Sequence, residues 1–452
     1  MDLFEVTSNE SQVTSLSLAT CDQTYAPYSN PAMIDGTGWR PIVERSGAKT
    51  FMLDDHIQTN LCTNASAPGW WFERRDELET LSKERCPLYV YDDETLNDTF
   101  FDLLCIDAVG KLFYTVAANP LPRILEKAYQ LGAGFKCASS VELEHVLRAF
   151  TGIESQKLLF ATAFAGPEEY DYAFKKGATV LINNIFPLKS WPDVFKDRDI
   201  FICIERENPQ QPQNVFHGSR SSLQSGIASS EFDTLAQLLK GLSITVRGLH
   251  IQLKAPIFSP PDLNETVSFL AGLSGHFPEA SVFSFGNGVG VSIKPGIEIP
   301  DFTATRENLE AVKDMYPKFG FWLEPGDLIV AHAGVLLTKV KETNQVEGNY
   351  YVRINAGMEP LVRSALYGRH HEIVNFSKLG EKETRLTHVM SVNGEPGDTL
   401  CYAKRLAPVE KGDILLITNT GACGSDQGLG LQALEAEHQH YLRARKMCSV
   451  KI

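Results

Sequence analysis

The chain has 452 residues, with 42 Lys and Arg against 56 Asp and Glu, so its formal net charge is −14. A content of 43% hydrophobic and 22% charged residues is typical of a folded globular protein and excludes wholesale disorder. The acidic balance argues against nucleic acid as a partner, because binding to phosphates needs a concentrated basic face. The length allows about three domains, or one large barrel with a smaller partner.

The sequence carries no sign of export or of a membrane span. No apolar run approaches the ~18 residues that suggest a transmembrane helix. The acidic, Ser/Thr-rich start lacks the features of a signal or transit peptide. Nine Cys without a CxxC pair favour reduced thiols. We therefore expect a cytoplasmic protein.

The first part of the chain differs in pattern from the remainder. Residues 1–70 show weak periodicity and many Ser, Thr, Asn and Pro, so we predict a loosely structured N-terminal extension. The amphipathic stretch ERRDELETLSKER predicts a helix over 73–85, and PLYVYD predicts a strand over 87–92.

Short apolar runs then alternate with helical patterns such as PRILEKAYQLG and SVELEHVLRAF. Eight of these runs lie at 112–117, 134–139, 157–162, 179–184, 200–205, 246–253, 281–286 and 320–326. Eight strands separated by helices predict a (β/α)8 TIM-like barrel over 71–326. In such a barrel the chemistry lies at the C-terminal ends of the strands.

Helical periodicity nearly disappears after residue 326. Strand-like runs include LIVAHAGVLLTKV (328–340), YYVRINAG, HEIVNFSK, RLTHVMSV, DTLCYAKRL and DILLITNTG. They predict an all-β domain over 327–452, which the strand at 87–92 is expected to join. The tail LEAEHQHYLRARK has helical spacing, and we predict a solvated helix there.

Several motifs carry a resemblance to a known family. YTVAANP at 114–120 resembles the YAVKANP signature of the pyridoxal-phosphate decarboxylases with an alanine-racemase-type barrel. Further agreement lies in GNGVG at 286–290, EPG at 324–326, NAGMEPLVRSALYGRHHEI at 355–373 and GEPGD at 394–398. Over roughly 70–432 the chain is similar to diaminopimelate decarboxylases, especially the decarboxylase half of bifunctional aspartate kinase–diaminopimelate decarboxylases. The resemblance implies fold type III of the pyridoxal-phosphate proteins, a barrel followed by a β-sandwich or β-barrel domain.

The resemblance also implies that catalytic groups are replaced. The family's lysine, which forms the Schiff base with the cofactor, corresponds to Ala117, and a methyl group cannot form an imine. Other replaced positions are the ring-stacking His (Gln252), the Gly-Ser after it (Lys254, Ala255), the acidic residue after strand 2 (Lys136), the phosphate-holding Arg (Asp327), the catalytic Cys (Gly394) and two Tyr (Cys423, Leu431).

Other family positions are retained, and we interpret them as vestigial. They are Glu324, which the family pairs with the pyridine nitrogen; the phosphate-loop glycines Gly286, Gly288 and Gly290; the substrate-side Arg363, Tyr367, Glu395 and Asp398; and the turn residues Asn119 and Pro120. A purely structural role is open for each: the glycines in tight turns, Arg363 beside a local carboxylate, and Glu324 as a helix cap.

Histidine spacing gives no metal prediction. His370 and His371, and His438 and His440, lack the three or four convergent ligands that a metal site needs. We therefore predict no metal.

These residues leave three functional hypotheses. The favoured one is a non-catalytic homologue, or pseudoenzyme, without cofactor, acting in structure, assembly or regulation as a homodimer or a subunit of a larger assembly. The second is an active or engineered decarboxylase, a carboxy-lyase that uses pyridoxal phosphate. The third is a pocket repurposed for cofactor-free chemistry or for binding a small anionic ligand, for which Lys136, Gln252, Lys254 and Asp327 would have to converge.

Overall fold

The computed structural model describes residues 39–43, 49–53, 69–206, 226–253, 260–286, 302–356, 371–391, 399–422 and 439–442. The chain separates into two compact units, Met1–Asn60 and Leu61–Ile452. In the first unit, β1 (Trp39–Val43) and β2 (Lys49–Leu53) form an antiparallel pair. The extension expected over 1–70 therefore contains two paired strands that its weak periodicity did not predict.

The described part of the second unit begins with helices α1 (Trp70–Glu73) and α2 (Arg75–Glu84). They cover the predicted helix at 73–85, with a break at Arg74. The buried Arg74 guanidinium donates to Asp92 Oδ1 at 2.7 Å, and Asp92 Oδ2 accepts from the backbone nitrogen of Thr95 at 2.9 Å. Asp92 therefore caps the next helix while it holds the break in place.

Eight parallel strands close into a barrel in the order β10-β11-β4-β5-β6-β7-β8-β9. Their ranges are β4 (Val109–Thr115), β5 (Gly134–Cys137), β6 (Leu158–Ala161), β7 (Thr179–Ile182), β8 (Asp199–Cys203), β9 (Thr245–Gln252), β10 (Val282–Gly286) and β11 (Gly320–Glu324). Each predicted apolar run overlaps one of these strands, so the predicted (β/α)8 barrel is confirmed.

Helices lie before and between the barrel strands, and two of them coincide with the predicted helical patterns PRILEKAYQLG and SVELEHVLRAF. The helices are α3 (Asp93–Leu104), α4 (Pro122–Gln130), α5 (Ser140–Ala149), α6 (Pro167–Lys175), α7 (Phe186–Ser190), α8 (Pro192–Phe195), α9 (Phe232–Gly241), α10 (Pro260–Gly272) and α11 (Phe302–Met315). Among the described helices, none combines the length and the apolar character needed to cross a membrane.

Large apolar side chains fill the lower part of the barrel interior. The Trp322 ring lies 4.7 Å from the Phe201 ring and 5.1 Å from the Phe113 ring, measured between centroids. Gly248 makes room for the Phe201 ring, because a Cβ at this position would lie 2.3 Å from one of its carbons. This aromatic plug closes the barrel from below, so polar side chains nearer the C-terminal ends of the strands are removed from water on that side.

A second, mostly antiparallel sheet comes after the barrel, in the order β14-β17-β12-β13-β15-β16, and β3 and β18 are attached to it. The ranges are β3 (Leu88–Asp92), β12 (Gly334–Val346), β13 (Asn349–Ile354), β14 (Ile373–Asn375), β15 (Arg385–Met390), β16 (Thr399–Leu406), β17 (Ile414–Ile417) and β18 (Gln439–Leu442). The strand predicted at 87–92 is β3, and it pairs with β12 as expected. The exact domain limits at 70, 326 and 452 stay predictions.

Two local predictions in this region are wrong. The start of the run at 328–340 is helix α12 (Asp327–Val330), whose last three residues are all buried. A short, fully buried apolar run does not distinguish helix from strand. In the tail, Gln439–Leu442 forms β18, parallel to β3, instead of a helix. There the pairing with a distant strand outweighs the local helical spacing.

Candidate functional site

Four polar side chains converge inside the barrel above the aromatic plug. They come from four different strands and form what we name the Glu324 cluster: Lys136, His250, Ser284 and Glu324. Successive side chains alternate between the two faces of a strand, so Glu324 points inward two residues beyond Trp322. The cluster is almost dry, since Glu324 and His250 are each 1% exposed, Ser284 is 0% and Lys136 is 9% exposed.

Glu324 is the centre of this cluster. Its Oε2 forms an ion pair with Lys136 Nζ at 2.7 Å, with an orientation outside ordinary hydrogen-bond alignment. Its Oε1 lies 3.0 Å from His250 Nδ1 and accepts a hydrogen bond from the Ser284 hydroxyl. Burial by itself raises the pKa of Glu324, but His250 and Lys136 outweigh it and hold that pKa well below its usual range. The carboxylate is therefore ionised and fully engaged.

Gln252 covers the cluster on the open side of β9. Its Oε1 lies 3.3 Å from His250 Nε2, so both ring nitrogens of the histidine face acceptor oxygens. A Cβ at Gly286 would lie 2.6 Å from both His250 Cε1 and Gln252 Oε1. Gly286, which the resemblance assigns to the phosphate loop, therefore leaves room for these two side chains.

A buried thiol lies at the end of β8. Burial raises the pKa of Cys203 to about 12, and the negative charge of Glu324 adds to the rise. The nucleophilic form of cysteine is the thiolate, so Cys203 is a packing residue and not a nucleophile.

Ala117 lies in the short turn Val116–Ala118, directly after β4. The end of β4, just before this turn, is fixed to the end of the strand that carries Glu324. The backbone nitrogen of Thr115 donates to the carbonyl of Pro325 at 2.9 Å, and Thr115 Oγ1 donates to the carbonyl of Glu324 at 3.1 Å. Ala117, at the position that the resemblance gives to the Schiff-base lysine, thus lies just beyond the end of β4, and that strand end is hydrogen-bonded to the end of β11 beside Glu324.

Asn119 has a structural role in the same turn. The buried side chain donates through Nδ2 to the carbonyl of Gly421 at 2.8 Å and to the Tyr91 hydroxyl at 3.2 Å. Its Oδ1 accepts from the backbone nitrogen of Leu121 at 3.1 Å. This residue joins the barrel to strand β3 and to the segment after β17, in agreement with the structural interpretation of the turn.

The structure answers some of the sequence-based expectations for the site. A helix-capping role for Glu324 is wrong, because the residue ends β11 and its carboxylate binds side chains from three other strands. Lys136 belongs to the Glu324 cluster and Gln252 borders it, whereas Asp327 begins helix α12. His250, Ser284 and Cys203 were missed. The sequence did contain a signal for these residues: each is a non-aliphatic side chain at an inward-facing position of an otherwise apolar strand.

Many predicted site residues lie outside the described part of the chain. They are Lys254, Ala255, Gly288, Gly290, Arg363, Tyr367, His370, Gly394, Glu395, Asp398, Cys423, Leu431 and His438. Their roles stay predictions. Within the described ranges, no group of three or more His, Cys, Asp and Glu side chains is arranged to hold a metal ion.

Residues 103–331, just over half of the chain, match the family described as pyridoxal-dependent decarboxylase, pyridoxal binding domain. The chain belongs to the pyridoxal-dependent decarboxylases. It is 27% identical to a diaminopimelate decarboxylase of Deinococcus radiodurans over 350 residues, which are 75% of this chain and 85% of the relative. A diaminopimelate decarboxylase of Methanothermobacter thermautotrophicus is 23% identical over 366 residues, 77% of this chain and 84% of the relative.

Solved structures of decarboxylases have the same fold. Diaminopimelate decarboxylase from M. jannaschii, in complex with L-lysine, superposes with a TM-score of 0.67 at 21% identity, covering 76% of this chain and 84% of the other. The arginine decarboxylase of Paramecium bursaria Chlorella virus, bound to agmatine, gives 0.68 at 16% identity and covers 82% and 100%. The predicted fold type III, a barrel with a β domain, is thereby confirmed.

Proposed function

We propose that this chain is a non-catalytic member of the pyridoxal-dependent decarboxylases. The observation that carries the proposal is Ala117, which has a methyl group where the family resemblance calls for the lysine that forms an imine with the cofactor aldehyde. Decarboxylation in this family depends on that cofactor as an electron sink. Without that lysine, the cofactor lacks the covalent link that positions it for the reaction.

The neighbouring residues do not fit pyridoxal phosphate either. Glu324, the expected partner of the ring nitrogen, is ion-paired with Lys136 at 2.7 Å. Lys136 is the one amine of the Glu324 cluster, and it is directed at that carboxylate. Asp327, where the family resemblance expects an arginine near the phosphate, would add repulsion in place of a charge-assisted hydrogen bond. These features together support a protein that works without the cofactor.

Protein–protein contact is the function that we propose for the retained fold. Two exposed aromatic residues support it: Phe164, in the segment after β6, is 73% exposed, and Phe186, which begins α7 after β7, is 59% exposed. Both lie just beyond the C-terminal ends of neighbouring barrel strands. Aromatic residues are enriched at the buried centres of protein interfaces. We propose a homodimer, or a subunit of a larger assembly, in the cytoplasm.

A pocket repurposed for a small anion finds less support. The main candidate for binding such an anion, Lys136, is only 9% exposed, and its ammonium group is ion-paired with Glu324. A cation already paired with a buried carboxylate offers little attraction to a second anion.

Catalytic inactivity is tested with the purified full chain and pyridoxal phosphate. We expect no CO2 release from meso-diaminopimelate, lysine, ornithine or arginine, and no aldimine absorbance that survives gel filtration. The diaminopimelate decarboxylase of Deinococcus radiodurans, assayed in parallel with meso-diaminopimelate, is the positive control. Cofactor-dependent CO2 release by the wild-type chain would refute the proposal.

A further inference from the structure

We infer that Lys136 is a built-in substitute for the cofactor's ring cation: its ion pair with Glu324 completes the barrel interior and excludes a pyridinium ring from the site. The inference rests on the proposed function and deepens it, because it names the residue that determines whether the ring can bind. It concerns recognition of the ring alone and involves no covalent step.

The barrel geometry holds the two charges together. Lys136 is on β5 and Glu324 on β11, and β4 lies between these strands in the closed barrel. Thr115 at the end of β4 is in register with Lys136 and donates its hydroxyl to the carbonyl of Glu324. The Lys136 side chain therefore crosses the end of β4 to reach Glu324. Hydrogen bonds along β4 fix the positions of the β5 and β11 ends relative to each other.

Burial makes this pair exclusive. A buried carboxylate needs compensation by charge and hydrogen bonds, and Glu324 obtains it from Lys136, His250 and Ser284. A ring cation that approached Oε2 would have to displace the Lys136 ammonium or share the carboxylate with it. The first outcome leaves a buried ammonium without its partner, and the second brings two positive charges into contact. Both oppose binding of the ring.

An ordinary buried ion pair would behave differently on mutation. If Lys136 only stabilised the fold, its replacement would lower stability and leave ligand binding unchanged. If Lys136 stands in for the ring cation, its replacement frees the carboxylate for a pyridinium ring. Stronger binding of a pyridinium ring after replacement of Lys136 therefore distinguishes the second role from the first.

The probe for this experiment is pyridoxine 5′-phosphate, which carries the ring nitrogen and the phosphate but has no aldehyde. Its binding therefore does not depend on a lysine at position 117. The full-length wild type is compared with Lys136→Met and with Lys111→Met as the matched control. Lys111 lies at the other end of the barrel, where its Nζ is 4.7 Å from the centroid of the Trp322 ring. Binding is measured by calorimetry, and the melting temperature is measured with and without the probe.

We expect Lys136→Met to bind the probe at least tenfold more tightly than the wild type and Lys111→Met do. Ligand binding to the native state raises the melting temperature, so the probe should stabilise Lys136→Met most. Adding Glu324→Gln to Lys136→Met should abolish the gain in binding. Equal affinity of the wild type and Lys136→Met, including no binding by either, would overturn the inference and leave the inactive Ala117 site untouched.

A stability comparison keeps the inference testable where Lys136→Met folds poorly. This variant leaves Glu324 buried without its ammonium partner, whereas the double variant Lys136→Met/Glu324→Gln removes both charges. We expect the double variant to melt at a higher temperature than Lys136→Met. A double variant that is no more stable than Lys136→Met would show that the carboxylate does not depend on Lys136, and the inference would fail.

Discussion

The Asn119 side chain and the carbonyl oxygen of Gly421 are joined by a hydrogen bond of 2.8 Å, which ties the turn after the first barrel strand to the segment that follows β17 of the second sheet. Gly421 is packed so closely that a Cβ there would lie 1.8 Å from the carbonyl oxygen of Val330. The asparagine of the YTVAANP motif therefore connects two parts of the fold. This structural role of Asn119 explains why the YTVAANP segment can retain the asparagine of the family motif although Ala117 replaces the lysine.

Replacement of Asn119 should destabilise the whole second unit. In Asn119→Ala the Gly421 carbonyl loses its donor in a buried setting, which costs about 2 kcal/mol. Urea unfolding followed by tryptophan fluorescence measures the loss. Asn349→Ala, at an exposed position of β13, is the control and should change stability by less than about 0.5 kcal/mol. Equal unfolding midpoints for the two variants would contradict this role of Asn119.

The barrel architecture could be predicted from the sequence, whereas the contacts of the Glu324 cluster could not. Apolar runs separated by amphipathic segments locate all eight barrel strands, because burial on both faces makes such strands nearly continuous in apolar residues. The contact between Lys136 and Glu324 depends instead on the barrel order, which places β5 two strands from β11. Neither residue has a local pattern that indicates the other. The motif comparison marked both positions but gave no reason to pair them.

The stability of the protein should fall in acid partly because of Glu324. Burial raises the pKa of Glu324, but His250 and Lys136 lower it by more than burial raises it. The folded pKa therefore lies below the unfolded value of about 4.3. Such a carboxylate adds stability that is complete above the unfolded pKa and is lost as the pH falls below it. Lys136→Met/Glu324→Gln removes this contribution. The wild type should therefore lose more stability than this variant between about pH 5 and pH 3, as measured by urea midpoints. Parallel losses would argue against an ionised, compensated Glu324.

His332 should make stability pH-dependent at higher pH. Its ring contacts Thr99 Oγ1 at 3.3 Å, and burial lowers its pKa to about 4. The unfolded state, with a pKa of about 6.5, binds the proton more readily, so stability should fall as the pH drops from about 6.5 to 4. The slope is at most about 1.4 kcal/mol per pH unit. In His332→Gln this dependence should be weaker, whereas the exposed His276→Gln should keep it. Unchanged slopes in His332→Gln would show that another group titrates.

Restoring the lysine alone should not restore decarboxylation. Ala117→Lys supplies the amine, but Glu324 is still paired with Lys136, and Asp327 and Gly394 still replace family residues. We expect CO2 release from meso-diaminopimelate, lysine or ornithine to stay at the level without enzyme. Adding Lys136→Met to Ala117→Lys tests whether the ring site was the next obstacle. Measurable turnover by Ala117→Lys alone would mean that the rest of the site is closer to functional than we propose.

The exposed aromatic residues at the barrel strand ends should mediate self-association. Burying a large aromatic side chain is among the strongest contributions to an interface, and a carboxylate in its place would be desolvated without a partner. Phe164→Asp should therefore shift the wild-type protein from a dimer to a monomer in size-exclusion chromatography with light scattering. Phe101→Asp is the matched control, since Phe101 is 63% exposed and lies on α3, before the first barrel strand, and not in the segments after β6 and β7. It should leave the dimer intact. A wild-type chain that elutes as a strict monomer of about 50 kDa would remove the homodimer. In that case, a pull-down that compares wild type with Phe164→Asp would decide whether the same surface binds a different subunit.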